Sequence, residues 1–219
     1  MSASTIMQLY PAPSRECELK GIYLQASDIA EPANPQPWVY TNFITSLDGR
    51  IAIEQPLNGE RSVPASITNK RDWRLYQELA ARADVLLVSA RFLRELMHGK
   101  AQDNLPISTA PGFSDLLEWR IQQGLSPQPA VVILSASLDL ALADFCAASA
   151  RSVYVATGRR ADTNAVRRLE ESGAKMLYAG TGREVDGKQL VEQLVNAGFY
   201  KIGSSPDVVG KIYRITPSG

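Results

Sequence analysis

Short runs of apolar residues alternate with amphipathic stretches along most of this chain, and no other feature narrows its fold as far. "VLLV" at residues 85–88, "AVVIL" at Ala130–Leu134 and "SVYVA" at residues 152–156 are too short for helices. They are also too uniformly apolar for strands with one wet face. The stretches between them carry helical spacing. Trp73, Tyr76, Leu79, Ala80 and Ala83 follow a capping Asn69, with Asp72 in the first turn. Further helices are expected over residues 113–122, 138–148, Thr163–Glu171 and Gly187–Asn196. Further strands are expected over residues 38–45, Lys175–Tyr178, 199–202 and 211–216. Buried strands alternating with helices imply βαβ units. The fold class is therefore α/β, with a mostly parallel central sheet and helices on both faces.

The first 36 residues read differently. Pro11, Pro13, Pro32 and Pro35 disfavour regular helix and central strand, so an N-terminal arm is expected to drape over the core or a partner. Residues 37–219 then form one domain. Near its end only "GSSPDVV" and Gly210 separate the last two expected strands, too few for a parallel crossover. Either the final strand runs antiparallel or a segment is missing near residues 209–211.

Charge and cysteine usage exclude several function classes. Lysine plus arginine balance aspartate plus glutamate at 23 each, which gives no basic footprint for nucleic acid. No apolar run is long enough for a membrane helix, and no secretory leader is expected. Cys17 and Cys146 lie far apart, so neither a disulfide framework nor a zinc site is expected. The single histidine, His98, has no nucleophile paired with it in the sequence and reads as a solvated or helix-end residue. These features suit a cytoplasmic protein with a small-molecule substrate, no metal, no nucleic acid and no membrane.

Neither "GxGxxG" nor "GxxxxGK[ST]" occurs, and "GTG" at residues 180–182 reads as a simple turn. The loops that follow the strands carry more weight, because open α/β sheets bind ligands at that edge. They hold Ser89 and Arg91, then Ser135, then Thr157, then Gly203, Ser204 and Ser205. Small hydroxyl residues and glycines let backbone amides approach phosphates, and an arginine can pair with one. The same serines and threonines also serve as helix caps. Ser66, Thr68, Asn69 and Asp72 form a second polar cluster entering a helix, open to the same two readings.

"NFITSLDGRIA", "SITNKRDWRLYQELAARADVLLVSA" and "PAVVILSASLDL" together resemble the reductase domain of the bifunctional riboflavin-biosynthesis protein, which has a dihydrofolate-reductase-like fold. The resemblance spans roughly residues 37–216. It implies a homodimeric oxidoreductase in which NADPH reduces the ribose of a phosphoribosylamino-pyrimidine. By position it puts Thr45 and Ser46 at the nicotinamide, with Asp48 and Gly49 shaping the turn. Thr68, Ser89, Arg91, Ser135 and Gly203 to Ser205 fall to the cofactor. Asn42, Asp48, Ser66 and Asn69 fall to the substrate, and Asp72 is the candidate acid.

The chain departs from that pattern at three places. Phe92 stands near a family threonine, Ala80 replaces an arginine, and "GSSP" at residues 203–206 replaces a glutamate-glycine-glycine-proline loop. Hydride transfer needs positioning more than acid–base machinery, which fits a chain with no triad. The alternative is a non-catalytic or differently specific nucleotide-binding relative on the same fold. Asp48, followed by glycine, also reads as an ordinary turn residue.

Overall fold

The computed structural model describes residues 5–9, 12–25, 36–42, 44, 53–54, 61–64, 66–101, 105, 107–205 and 208. In chain order the strands are β1 (Thr5–Gln8), β2 (Arg15–Glu18), β3 (Trp38–Thr41), β4 (Ile53–Glu54), β5 (Arg61–Ser62), β6 (Val85–Ser89), β7 (Ala130–Leu134), β8 (Val153–Thr157), β9 (Lys175–Tyr178) and β10 (Lys201–Ser204). The helices are α1 (Lys70–Arg82), α2 (Ala90–Met97), α3 (Ser114–Gln122), α4 (Ala143–Ala148), α5 (Thr163–Glu171) and α6 (Gly187–Asn196).

Six strands form an all-parallel sheet in the order β3-β10-β6-β7-β8-β9. The three apolar runs are its centre, and every residue of β6 and β7 is buried. Alternate residues feed two cores, as strand geometry requires. Val131, Ile133, Val153 and Val155 pack with Leu93 of α2, Phe145 of α4, and Val166 and Leu169 of α5. Val132, Leu134 and Ala156 pack on the other face with Leu190 and Leu194 of α6. Each fully buried Leu or Ile contributes about 1.5–3 kcal/mol by leaving water. Helices thus cover both faces, as the alternation implied. Among the described residues no helix is long and apolar enough to cross a membrane.

β6, β7, β8 and β9 are laid down side by side in chain order. The chain then returns through α6 and inserts β10 between β3 and β6. Asp84, just before β6, fixes this insertion: its Oδ2 accepts the backbone N–H groups of Tyr200 and Lys201, each at 2.8 Å. The direction of winding therefore reverses beside β10, and the cleft of such a sheet lies at the strand ends there.

Two local expectations are corrected, and the N-terminal arm gains detail. Residues 90–97 form α2, which the sequence reading left without an element; Ser89 caps it, its Oγ accepting the Phe92 N–H at 3.1 Å. The helix expected from residue 138 begins only at Ala143. Leu138 sits at φ 56°, held by its N–H bond to Ser135 Oγ at 3.0 Å, and it is buried there as a loop anchor. The N-terminal arm contains an antiparallel hairpin, β1 with β2, and Pro13 falls between the strands rather than within them. The expected final strand at 211–216 and the segment at 209–211 lie outside the described residues.

Candidate functional site

The switch point of the sheet opens into a small cleft at the C-terminal ends of β3, β10 and β6. Tyr40, Thr41 and Asn42 form one wall, Gly203, Ser204 and Ser205 the floor, and Tyr76, Leu79 and Ala80 of α1 the other wall. Its volume, about 30 Å³, suits one or two waters or the polar tip of a ligand, not a whole ring system. A larger ligand would have to lie across the mouth.

The polar atoms of this cleft are unequally committed. Tyr40 Oη donates to the Leu79 carbonyl at 2.5 Å, and burial pushes its phenol far above the usual range, so it is a neutral structural donor. Thr41 Oγ1 is buried without a hydrogen-bond partner among the described residues. A buried hydroxyl left unpaired costs about 1–3 kcal/mol, so it favours any ligand that can pair with it. Ser204 Oγ donates to the Ser205 carbonyl at 3.2 Å, and the Ser205 N–H extends the sheet ladder to the Leu87 carbonyl. Gly203 is closely covered: a Cβ there would lie 2.8 Å from Leu86 Cδ2, whose side chain would have to shift, and in ordinary contact with the Tyr40 ring at 3.5 Å.

Asp72 joins this site through helix geometry. At 100° per residue, Asp72, Tyr76, Leu79 and Ala80 share one face of α1, so Asp72 lies one turn beyond the cleft wall. Burial holds its carboxyl above the ordinary aspartate range, against the pull of the α1 N-terminus toward the charged form. Asn69 caps the helix, its Oδ1 accepting the Arg71 N–H at 2.8 Å. Ser66 and Thr68 are exposed on the turn before it.

The remaining candidates follow the same sheet edge outward. Ser89 Oγ and Ser135 Oγ each accept a backbone N–H, from Phe92 and Leu138. Arg91 is exposed and pairs with Glu95 at 2.8 Å, an i,i+4 pair of the kind worth about 0.3–0.5 kcal/mol. Thr157 is fully buried, and its hydroxyl has no partner among the described residues. Beyond it the loops after β8 and β9 interlock. The N–H groups of Gly158, Arg159 and Arg160 donate to the carbonyls of Arg183, Gly180 and Gly182. The "GTG" stretch is thus a backbone clasp, and those three amides are already spent.

The structure thus brings Asn42, Gly203, Ser204 and Ser205 to one cleft, with Asp72 at its side and Ser89, Arg91, Ser135 and Thr157 along the adjoining edge. Thr45, Ser46 and Asp48 lie outside the described residues. Tyr40, Thr41 and Tyr76 are cleft residues that sequence reasoning missed. The signal was partial: all three lie in elements read correctly, but only the pairing of β3 with β10 turns them toward a cleft.

A family model described as the RibD C-terminal domain matches residues 37–202. Among solved structures, a pyrimidine reductase-like protein from Corynebacterium diphtheriae superposes with a TM-score of 0.57 at 17% sequence identity, over 80% of this chain and 69% of that one. At that identity the likeness speaks for the fold. No curated protein matches the chain.

Proposed function

The chain belongs to the RibD C-terminal domain family, and from that premise we propose a nicotinamide-dependent reductase, NADPH being its cofactor, that acts on a phosphoribosylamino-pyrimidine of the riboflavin pathway. The observation that carries the reading is the cleft at the switch point, where a Thr41 hydroxyl without a partner among the described residues meets Asn42, Gly203 and Ser204. These groups fit an amide-bearing planar ring laid across the mouth. Thr41 pairs with its polar edge while Tyr76 and Leu79 exclude water. When bound, the nicotinamide supplies the hydride. Ser135 offers a hydroxyl and Arg91 an exposed guanidinium to the phosphates along the edge, where Ser89 caps α2. Asp72, whose carboxyl burial holds above its ordinary range, lies on the face of α1 that leads into the cleft and is the candidate acid. A homodimeric, cytoplasmic protein is part of the same proposal.

A differently specific or non-catalytic nucleotide binder is the second reading, and Gly203 favours it. A glutamate at that position, where the family loop has one, would require the Leu86 side chain to shift, so the glycine here goes with the packing of Leu86. Thermal unfolding with NADPH separates both readings from a protein that binds no nucleotide. Saturating NADPH is expected to raise the midpoint by about 5–10 °C, since about 2.7 kcal/mol accrues at a hundredfold excess over Kd. An unchanged midpoint would sink both. Turnover of the pyrimidine substrate then decides between them.

Asp72→Asn tests the acid. The folded-state pKa is raised, so the stability Asp72 contributes is complete at low pH and is lost as pH rises through that pKa. Asparagine loses nothing on the same rise. The variant is therefore expected to melt higher than wild type at pH 7 and level with it near pH 3, while kcat falls roughly 10²–10⁴-fold. A variant that melts lower at pH 7 identifies Asp72 as a helix-end charge and removes it from the chemistry.

A further inference from the structure

Residues 5–9 and 12–25 precede the family match at 37–202, yet they are built against the helix that walls the cleft. α1 has three working faces. Asp72, Tyr76, Leu79 and Ala80 face the cleft. Arg74, Gln77 and Ala81 face α3 and its neighbourhood: Arg74 pairs with both carboxylate oxygens of Asp115, and Gln77 Oε1 accepts the Ser108 N–H at 2.6 Å. The third face, Arg71, Glu78 and Arg82, belongs to the N-terminal segment over the full length of the helix.

Its contacts are polar, buried and directional. Glu78 is 0% exposed. Its Oε1 accepts the Gly21 N–H at 2.6 Å and the Arg74 Nε–H at 2.9 Å, and its Oε2 accepts the Tyr23 N–H at 3.0 Å. Arg82 Nη1 donates to the Tyr23 carbonyl at 2.5 Å, and Arg71 Nη2 donates to the Thr5 carbonyl. Leu24 packs beside Ala80, Ala81, Ile107 and Leu116. Gly21 sits at φ 85°, so the turn that aims two successive odd-numbered amides at one carboxylate uses a conformation that side chains disfavour.

We infer that this N-terminal segment is a strap that sets the position of α1, and that Glu78 is the positioning residue through which it holds the Asp72–Tyr76 wall of the cleft. Glu78 touches nothing in the cleft. It acts from the far side of the helix, and the strap is therefore part of the working site of this chain although it lies outside the family domain. The ligand half of the inference rests on the proposed nicotinamide site; the structural half does not.

Glu78→Gln removes one acceptor oxygen and puts an NH₂ where a donor already points, so at least one strap bond is lost while size is kept. Hydrogen exchange followed by mass spectrometry on the full chain reads the structural half. The amides of α1 are expected to exchange about tenfold faster in Glu78→Gln, with β7 and β8 unchanged. Glu78→Asp restores part of the protection. Leu24→Ala, which keeps the carboxylate and trims only the apolar anchor, gives the same pattern at smaller size should Glu78→Gln fold poorly. On the ligand half, kcat is expected to fall about tenfold and NADPH binding to weaken about fivefold well below the melting temperature. If α1 keeps its protection, or if α1 and the central strands accelerate together, the strap is overturned. If α1 loosens but NADPH affinity and kcat hold, positioning of the cleft is overturned. Wild type that binds no NADPH defeats the cofactor reading instead and leaves the exchange result to decide the strap.

Discussion

Replacing Arg120 with methionine is expected to lower the unfolding free energy by about 3–5 kcal/mol, the range for stranding buried polar partners. Arg120 is 1% exposed. Its Nη1 donates to the carbonyls of Ala81 and Ala83 at 2.6 and 2.7 Å, and its Nε to Ser126 at 2.6 Å. It thereby ties the C-terminal end of α1 to the turn after α3, where helix carbonyls lack partners of their own. Burial pushes its pKa down to about 10, still well above neutral, so the charged form makes these bonds at pH 7. Methionine fills the volume and satisfies none of the three carbonyls. A groove of about 670 Å³ beside it, lined by Arg151, Ser126 and Gln128, lets water reach part of the wound. That access keeps the loss below the full sum of three orphaned acceptors. Urea denaturation measures it, and a loss under about 1 kcal/mol would show the tether to be redundant.

Gly158→Ala is expected to cost about 3 kcal/mol or more, and Gly182→Ala next to nothing. Neither glycine has a positive φ, so backbone conformation does not separate them; space does. A Cβ on Gly158 would stand 2.1 Å from the Gly182 carbonyl oxygen and 2.7 Å from the carbonyl carbon of Arg183. Both obstacles are backbone, so the two loops must part. Parting them breaks the three N–H···O bonds from residues 158–160. A Cβ on Gly182 meets nothing within 4 Å. Paired melting curves of the two variants check the contrast. Equal losses would mean that the clasp does not hold the β8 and β9 ends together.

The fold was legible because burial on both faces writes itself into short apolar runs, and "VLLV", "AVVIL" and "SVYVA" became the three central strands. Local spacing misled where a loop imitated a helix. Leu138, Leu142 and Phe145 keep near-helical intervals, but Leu138 and Leu142 are anchors pushed into the core from irregular backbone. α2 was the reverse case, since Ser89, Leu93 and Leu96 supply a cap and an apolar stripe over a helix of only eight residues. The cleft was half legible. Gly203 to Ser205 follow from the sheet-edge rule, and Asn42 only from the family resemblance. Thr41 and Tyr40 do not, because their significance comes from a strand most of the chain away. Glu78 was invisible for a similar reason: its partners are backbone amides of residues 21 and 23, and no side-chain pattern announces them.

The insertion of β10 also orders events in time. Among the described residues β10 is the only partner of β3, and β6 turns its other edge to the same slot. While the polypeptide is being synthesised, β3 emerges early and, among the described residues, has no strand to pair with until residues 201–204 follow. Distant pairings of this kind form slowly, and a bare strand edge invites pairing with other chains in the meantime. A product terminated anywhere ahead of Lys201 carries two open edges and no cleft, however well its four neighbouring strands assemble. Among the described residues the cleft end of the sheet is thus the last part to exist, and the nascent strand that waits for it is the one that most needs shielding.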